Sequence, residues 1–232
     1  MSPRPRRDEQ IQDLSERILA AAWQQIAESG APALSLRAIA RALGITAPAI
    51  YNYYPDRDAL VTALIVDAFT SFGDAQAAAI QSLPANNHSD RLQALGLAYR
   101  QWAVEHPERY HLIFGTPIAG YSAPAEITMP AASRALAILV AEVEAASQSG
   151  QLNTSSLPLF PPGLDKMFAN WSAERGPASQ VALFQSLCLW SSIHGMVFLE
   201  ISHQLPPFIS DPAVFSVTAI QTLIRQTITN RN

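Results

Sequence analysis

The sequence predicts an all-α protein of about nine helices, with a three-helix module at the start and a larger helical body behind it. Apolar residues recur at spacings of three and four through most of the chain, which is the period of an amphipathic helix. Two short helical segments, separated by one glycine, lie between residues 35 and 54. At 232 residues, the chain is long for one core and short for two ordinary ones. We therefore expect a small domain at residues 1–55 and a larger one at residues 56–232.

The composition is that of a core-rich protein with apolar surface left for a partner. Hydrophobic residues make up 49% of the chain and charged residues 15%, and the mean hydropathy of +0.09 argues against disorder. The single cysteine, Cys188, cannot form an internal disulfide, and the start of the chain is charged rather than apolar. Because Glu142, Glu144 and Glu200 interrupt the longest apolar runs, we expect no membrane span and a cytoplasmic location.

The net charge of −4 is unevenly distributed along the chain. Residues 1–60 hold seven arginines and seven acidic residues, so the later part carries the whole negative excess. This distribution suits a protein that presents only one end to a polyanion, although an ordinary scatter of charges explains it nearly as well.

Three arginines near the start of the chain, Arg4, Arg6 and Arg7, are interrupted by two prolines. This pattern predicts a loose basic arm over residues 1–8, which could enter a minor groove or could equally be an undirected tail. Apolar residues at helical spacing then predict a first helix from about residue 10 to 29.

The next two predicted helices have the spacing of a helix-turn-helix. Ser35 is placed to cap the first of them, and Gly44 can take the positive φ that a tight turn needs. Thr46 occupies the N-cap position of a short third helix that we expect to end near Tyr53.

The surface of this third helix offers few hydrogen-bond donors. Its leading residues, Ala47, Pro48 and Ala49, can contact DNA only by close fit and through thymine methyl groups. Polar contacts would have to come from neighbouring side chains. The candidate DNA contacts are Arg4, Arg6, Arg7, Ser35, Arg37, Thr46, Ala47, Pro48, Ala49, Tyr51, Asn52, Tyr53 and Arg57.

The run LSLRAIARALGITAPAIYNYYPDRDALVTAL resembles the DNA-binding domain of the TetR family of bacterial transcriptional regulators. The similarity covers about residues 10–65. The resemblance implies that Arg37 contacts a base, and that Pro48 and Tyr51 lie against the groove and its phosphates. It also implies that Arg57 holds a phosphate.

The chain departs from the family pattern in two places. Arg57 stands where lysine is usual, which keeps the charge and adds a forked donor. Tyr53 and Tyr54 stand where a histidine or similar residue and a phenylalanine are usual. Both departures leave DNA docking plausible and the sequence preference open.

The body is predicted as a series of helices around proline-containing loops. A long fourth helix, from Asp56 to about Ser82, is the expected mechanical link between head and body. A fifth helix ending near His106 and a short sixth helix, Glu108 to Phe114, follow. The prolines of residues 116–130 predict a loop or broken helix before the next helix.

A later segment, residues 178–203, is apolar nearly all round and must be covered on both sides. One side can face its own body and the other a second subunit, so that two C-terminal helices from each chain form a four-helix dimer interface. The run containing Trp190, His194, Gly195 and Glu200 resembles the C-terminal signature of a TetR subgroup called the WHG domain. The candidate dimer contacts are Leu187, Ser191, Phe198, Val217, Ile220 and Ile224.

Aromatic residues beside proline-bounded loops are either plain core or the lining of an apolar cavity with a few polar handles. Gly195 beside His194 would permit a close helix approach, which favours a structural histidine and leaves a pocket role open. The pocket candidates are Tyr99, Trp102, Tyr110, Phe114, Tyr121, Phe168, Trp171, Trp190 and His194.

The histidines are too few and too scattered for a metal site, and the chain has no phosphate loop or nucleophile elbow. We therefore expect no metal, no cofactor and no enzymatic activity. The resemblance implies a homodimeric regulator, usually a repressor, that a small apolar or amphipathic effector releases from a palindromic operator. The alternative is a helical small-molecule carrier or enzyme in which the helix-turn-helix is vestigial.

Overall fold

The computed structural model describes residues 7–155, 157, 159–161, 163–175 and 177–229, which contain ten α-helices and no β-strand. The predicted all-α fold is therefore confirmed. In chain order the helices are α1 (Arg7–Ser29), α2 (Leu36–Leu43), α3 (Ala47–Tyr51), α4 (Arg57–Gln81), α5 (His88–Glu105), α6 (Pro107–Phe114), α7 (Ala125–Gln148), α8 (Leu164–Arg175), α9 (Gln180–Ile201) and α10 (Pro212–Thr227), with a 3₁₀ turn at Ala31–Ala33 after α1.

The described chain divides into two compact units. The N-terminal unit comprises the described residues up to Thr70 together with His106–Ala131. The C-terminal unit comprises Ser71–Glu105 and the described residues from Ala132 onward. The chain passes between the units three times: within α4, between α5 and α6, and within α7. The domain boundary expected near residue 55 stays a prediction.

The N-terminal unit has a core formed where α1, α2, α3 and the first half of α4 converge. Each helix contributes side chains that have almost no exposed surface, because the apolar stripe of each one faces the same interior. The fully buried members are Ile18, Ala22, Ile39, Ile50, Leu60 and Leu64.

The C-terminal unit has an apolar core with charged groups paired beside it. Leu92, Leu95, Val143 and Ile224 are among the buried residues that pack together. The buried carboxylate of Glu142 lies 2.6 Å from His88 Nδ1 and accepts a 2.7 Å hydrogen bond from Arg91 Nε. Arg100 likewise pairs with Glu200 through two hydrogen bonds. Such pairing is what makes a buried carboxylate tolerable.

The first helix begins earlier than the sequence suggests. Residues 7 and 8, which we assigned to a loose arm, belong to α1, so that part of the arm prediction was wrong. Pro5 is the last proline before residue 32, so no proline interrupts the chain from Arg7 to the end of α1. Arg4 and Arg6 lie outside the described residues.

The segment that we predicted as a loop or broken helix over residues 116–130 becomes helical at Ala125. The carbonyl of Pro124 accepts hydrogen bonds from the amides of Ile127 and Thr128, at 3.1 and 3.0 Å, which starts α7. Pro130 lies within α7. It gives up one internal hydrogen bond near the start of a 24-residue helix, a loss that the rest of the helix tolerates.

By length and composition, α9 could cross a membrane, since an 18-residue window within it has a mean hydropathy of 1.4. Our expectation that acidic residues interrupt every such run was therefore wrong. Glu200 is the penultimate residue of α9 and leaves the apolar run before it intact. One such helix is weak evidence for a span, because a buried core helix has the same composition.

Gly96 in α5 lies where the C-terminal unit has no room for a side chain. A Cβ at Gly96 would lie 2.7 Å from Ile220 Cγ2 and 3.2 Å from Ile193 Cδ1. We expect Gly96→Ala to lower the free energy of unfolding by about 1–3 kcal/mol, because the packed core must shift. Urea unfolding followed by circular dichroism measures the change.

The control is Gly73→Ala in α4, where the added Cβ would lie 3.2 Å from Cδ of the Arg134 side chain. That side chain can move, and alanine favours a helix over glycine by about 1 kcal/mol. Gly73→Ala should be neutral or slightly stabilising. Equal losses of stability in the two variants would contradict the steric explanation.

Candidate nucleic-acid interface

The turn between α2 and α3 is built as the sequence predicts. Ser35 caps α2, and its Oγ accepts a hydrogen bond from the amide of Ala38 at 3.4 Å. Gly44 ends α2 with a backbone φ of 67°, a value that residues other than glycine seldom adopt. The amide of Ile45 then bonds the carbonyl of Ala40 at 3.0 Å. These contacts fix the direction in which α3 leaves the turn.

The third helix is short and ends at Tyr51, two residues before the predicted end. Tyr54 precedes Pro55, and a residue before proline is disfavoured in the helical region. Tyr54 is instead buried, with its hydroxyl 3.2 Å from Ser15 Oγ. Thr46 takes the N-cap position with an extended backbone, but its side chain makes no capping hydrogen bond.

Half of the ten candidate DNA contacts around α3 are exposed to solvent. Tyr51 is 41% exposed, although Ile50 beside it is fully buried. The hydroxyl of Ser35 is partly buried and serves the cap of α2. The exposed candidates are Arg37, Thr46, Pro48, Tyr51 and Asn52, and the partly buried ones are Ala47, Ala49, Tyr53 and Arg57.

Arg57, at the first position of α4, is held by backbone carbonyls. Its Nη2 donates to the carbonyl oxygens of Ala31 and Pro32, at 3.1 and 3.4 Å. Its Nη1 lies 3.9 Å from the exposed carboxylate of Asp58, which is a weak ion pair. The guanidinium is therefore fixed against the 3₁₀ turn, with part of its fork left to meet an anion.

One carboxylate joins three helices of the N-terminal unit, and sequence reasoning missed it. Asp67 Oδ2 in α4 accepts a 2.7 Å hydrogen bond from Trp23 Nε1 in α1 and a second from Arg109 Nη1 in α6, also at 2.7 Å. The Arg109 guanidinium also lies 4.6 Å from the centre of the Trp23 ring, a cation–π contact. We call these three residues the Asp67 cluster.

Three of the predicted pocket aromatics belong to the N-terminal unit. Tyr110 is fully buried, with ring centroids 5.0 Å from Phe114, and Phe114 packs edge-on against Phe69. The hydroxyl of Tyr121 lies 2.8 Å from Thr62 Oγ1. Tyr110 is thus a core residue of this unit, and Tyr121 borders an open cleft of about 550 Å³.

Four further pocket candidates cluster in the C-terminal unit. The hydroxyl of Tyr99 lies 2.7 Å from Nδ1 of His194, and Trp190 stacks on the same imidazole with centroids 5.1 Å apart. Phe72 lies between Tyr99 and Trp102, about 5 Å from each ring. Burial lowers the pKa of His194, so the neutral imidazole is favoured beside these rings.

The glycine next to His194 does not do what we expected. A Cβ at Gly195 would meet no heavy atom of the described residues within 4 Å, so it permits no close helix approach within this chain. The tight approach occurs at Gly96 instead. Spacing along one helix cannot show which glycine faces a neighbour.

The last two pocket candidates, Phe168 and Trp171, lie on α8. Phe168 is buried against Val140 and Leu183, with Trp171 packed at the edge of the same cluster. Trp171 also lines a small hollow of about 220 Å³. Among the described residues, no three His, Cys, Asp or Glu side chains are grouped to hold a metal ion.

The six candidate dimer contacts differ in how much of their surface is exposed. Leu187 and Ser191 lie on an exposed face of α9, whereas Phe198 and Val217 are partly buried. Ile220 and Ile224 have 0% and 1% of their surface exposed, because they pack inside the chain's own C-terminal unit. These two isoleucines cannot meet a second chain, so assigning them to the interface was wrong.

A second helix capped by Ser35, a glycine turn and an exposed third helix, all backed by a buried core, define a helix-turn-helix protein. Residues 18–64 match the family described as "Bacterial regulatory proteins, tetR family". Residues 92–223 match the family described as "Tetracyclin repressor-like, C-terminal domain". The chain belongs to the TetR family of transcriptional regulators, with a WHG-type C-terminal domain.

Similar proteins span nearly the whole chain. HTH-type transcriptional regulators of Mycobacterium bovis and Mycobacterium tuberculosis are each 32% identical over 211 residues, covering 90% of this chain and 89% of theirs. The crystal structure of the regulatory protein SCO4313 aligns with a TM-score of 0.74 and 35% identity, covering 95% of this chain and 98% of that one. A Rhodococcus protein of unknown function, 24% identical with a TM-score of 0.70, covers 93% and 96% and shares the fold.

We expect Asp67→Ala to lower the free energy of unfolding by about 1–3 kcal/mol, because Arg109 and the buried indole of Trp23 lose their shared acceptor. Chemical denaturation monitored by tryptophan fluorescence measures the change. The control is Asp74→Ala, which removes an exposed carboxylate paired with Arg134 and should cost less than about 1 kcal/mol. Similar losses in both variants would show that the Asp67 cluster is an ordinary surface pair.

Proposed function

We propose that this protein binds operator DNA as a homodimer and represses transcription until a small apolar or amphipathic effector releases it. The observation that carries the proposal is the exposed surface around α3. Tyr51 and its exposed neighbours lie on a module whose core is closed without them. Residues that stabilise nothing in the protein itself are available for a partner, and the family supplies DNA as that partner.

Recognition by α3 would combine close fit with a few polar contacts. Ala47, Pro48 and Ala49 bring the backbone close to the groove and suit thymine methyl groups. Arg37 on α2 is the side chain with the strongest base-reading chemistry nearby, because a guanidinium can bond a guanine edge through two donors. Arg57, and the arm residues Arg4 and Arg6, would contact phosphates or the minor groove.

The exposed face of α9 is the proposed dimer surface. Leu187, Ser191 and Leu199 recur on that face, and Leu187 and Leu199 are 38% and 39% exposed. On α10, Val214 and Phe215 are 63% and 42% exposed. Apolar side chains at helical spacing on two adjacent elements suit a four-helix interface between identical chains.

Effector release would act through the spacing of the two DNA-binding heads. We place the effector among the aromatic residues of the C-terminal unit, around Tyr99, Trp190 and His194. α4 is 25 residues long, and its residues contribute to both units. A tilt of α4 would change the separation of recognition helices that must meet half-sites roughly 34 Å apart.

The proposed function also implies that the protein is cytoplasmic and has no catalytic activity. A transcriptional regulator must reach the chromosome, and the family consists of regulators rather than enzymes. The net negative charge of residues 61–232 would keep the rest of the surface from binding DNA without selectivity.

Arg37→Ala should weaken binding to the cognate operator by about 1–3 kcal/mol and relax the preference at one base pair. Fluorescence anisotropy with the DNA upstream of the protein's own gene, and with single-base variants of it, measures both effects. Arg134→Ala, which removes an exposed arginine of the C-terminal unit, is the control and should change neither. A uniform loss across all DNA sequences would show that Arg37 touches only phosphate.

Ser191→Arg should convert the dimer to a monomer, because a charged side chain would be forced into an apolar interface on α9. Analytical ultracentrifugation measures the mass, and operator affinity should fall with it. Gln148→Arg adds the same charge at the exposed end of α7 and should leave the dimer intact. A dimeric Ser191→Arg variant would exclude this face of α9 as the interface.

A further inference from the structure

A cleft of about 800 Å³ opens in the N-terminal unit, and none of the nine predicted pocket residues lines it. Its walls come from the end of α1, the 3₁₀ turn, α6 and the segment from Thr116 to Ala119, and Arg57 of α4 also lines it. The volume lies within the range of sites that hold drug-sized molecules. The cleft is therefore large enough for a ligand of its own.

Apolar side chains form most of the walls of this cleft. Ile26 lies on one side and Leu112 and Ile118 on the others, with Pro32 and Pro117 in the adjoining turns. Proline restricts the backbone in both turns, so the walls are largely formed before any ligand arrives. A preformed apolar cleft favours a ligand with an apolar body.

Arg57 gives the cleft one fixed cation. Its Nη2 is occupied by the carbonyls of Ala31 and Pro32, which orient the guanidinium. Its Nε and Nη1 donate no hydrogen bond to any residue that the structure describes. Nε and Nη1 point in different directions, because the edge that Nε shares is the one with the occupied Nη2, so an acidic head would take a single charge-assisted hydrogen bond from one of them.

Glu108 restricts the charge of the ligand. It lies in the first turn of α6 and lines the same cleft as Arg57. A second negative charge on the ligand would be repelled by this carboxylate, and a polyanion such as a nucleotide would meet one guanidinium, beside the imidazole of His111. The combination selects a molecule with a single negative charge.

We infer that this cleft binds a small amphipathic monoanion, with its acidic head on Arg57 and its apolar body against Ile26, Leu112 and Ile118. The site lies in the N-terminal unit, apart from the aromatic pocket proposed for the effector. One consequence rests on the proposed function: Arg57 is also the expected phosphate contact, so a bound monoanion and operator DNA compete for the same guanidinium.

Calorimetric titration of the full chain with decanoate, without DNA, tests the site. Arg57→Ala should weaken decanoate binding about tenfold or more, since a hydrogen-bonded charge pair is lost. Leu112→Trp should weaken it by filling the cleft. Glu108→Gln should strengthen it about two- to fivefold by removing a like charge. Decylammonium, which has the same chain and the opposite charge, should bind more weakly than decanoate.

Arg41→Ala is the matched control, because it removes an exposed arginine of the same unit that does not line the cleft. It should bind decanoate as the unaltered protein does. Arg57→Lys keeps the charge without the fork and should bind with intermediate affinity if it folds as the parent does by circular dichroism. Failure of decanoate to bind, or equal affinities of the parent, Arg57→Ala and Leu112→Trp proteins, would overturn the site.

Competition is then measured with the DNA upstream of the protein's own gene. Decanoate should weaken DNA binding by the parent protein and should have no effect on the residual DNA binding of Arg57→Ala. Decanoate binding with no DNA binding at all would leave the site standing and refute the proposed function. DNA binding that decanoate leaves unchanged, although decanoate binds the cleft, would refute the competition.

Discussion

The carboxylate of Asp67 is the contact on which the arrangement of the N-terminal unit depends. It accepts one hydrogen bond from Trp23 on α1 and another from Arg109 on α6, so three helices far apart in sequence meet at one atom. The indole is shielded, since Trp23 is 7% exposed, whereas the Arg109 and Asp67 side chains keep 22% and 36% of their surface. A hydrogen bond to a charged group contributes about 1.5–3 kcal/mol, more than an ordinary one. The cluster therefore fixes α6 on the helix-turn-helix module and makes it part of the same unit.

Because α6 is fixed to the helix-turn-helix module, a ligand that contacts α6 can act directly on the N-terminal unit. Had α6 belonged only to the body, a ligand beside it could reach α3 only through α4. The Asp67 cluster ties α6 to α1 and α4, and Arg57 on α4 lies ten residues, or roughly 15 Å along the helix, from Asp67. The middle of α4 thus holds α6, and its beginning holds the 3₁₀ turn and a candidate phosphate contact. A molecule that touches α6 and Arg57 acts within a single compact unit.

Local signals in the sequence were sufficient to predict the cap and the turn of the helix-turn-helix. They were not sufficient to predict contacts between distant segments. Ser35 and Gly44 were predicted correctly, because a cap and a left-handed turn depend on residues within four positions. The Asp67 cluster could not be predicted, since nothing in the sequence near Trp23 indicates Asp67 as its acceptor. Ile220 and Ile224 were misassigned for the same reason: a helical apolar stripe shows that a face is covered, but not by which chain.

Arginine rather than lysine at position 57 has a physical reason in this structure. One nitrogen of Arg57 is committed to the carbonyls of Ala31 and Pro32, and the guanidinium keeps further N–H groups in the same plane. A lysine has a single ammonium nitrogen. If that nitrogen donated to the carbonyls of the 3₁₀ turn, its whole charge would lie there, and if it moved to an anion, the hydrogen bonds to the turn would be lost. Arg57 can hold the 3₁₀ turn and bind an anion at once. The departure from the family pattern therefore couples the local structure of the head to whichever anion, phosphate or ligand, the head meets.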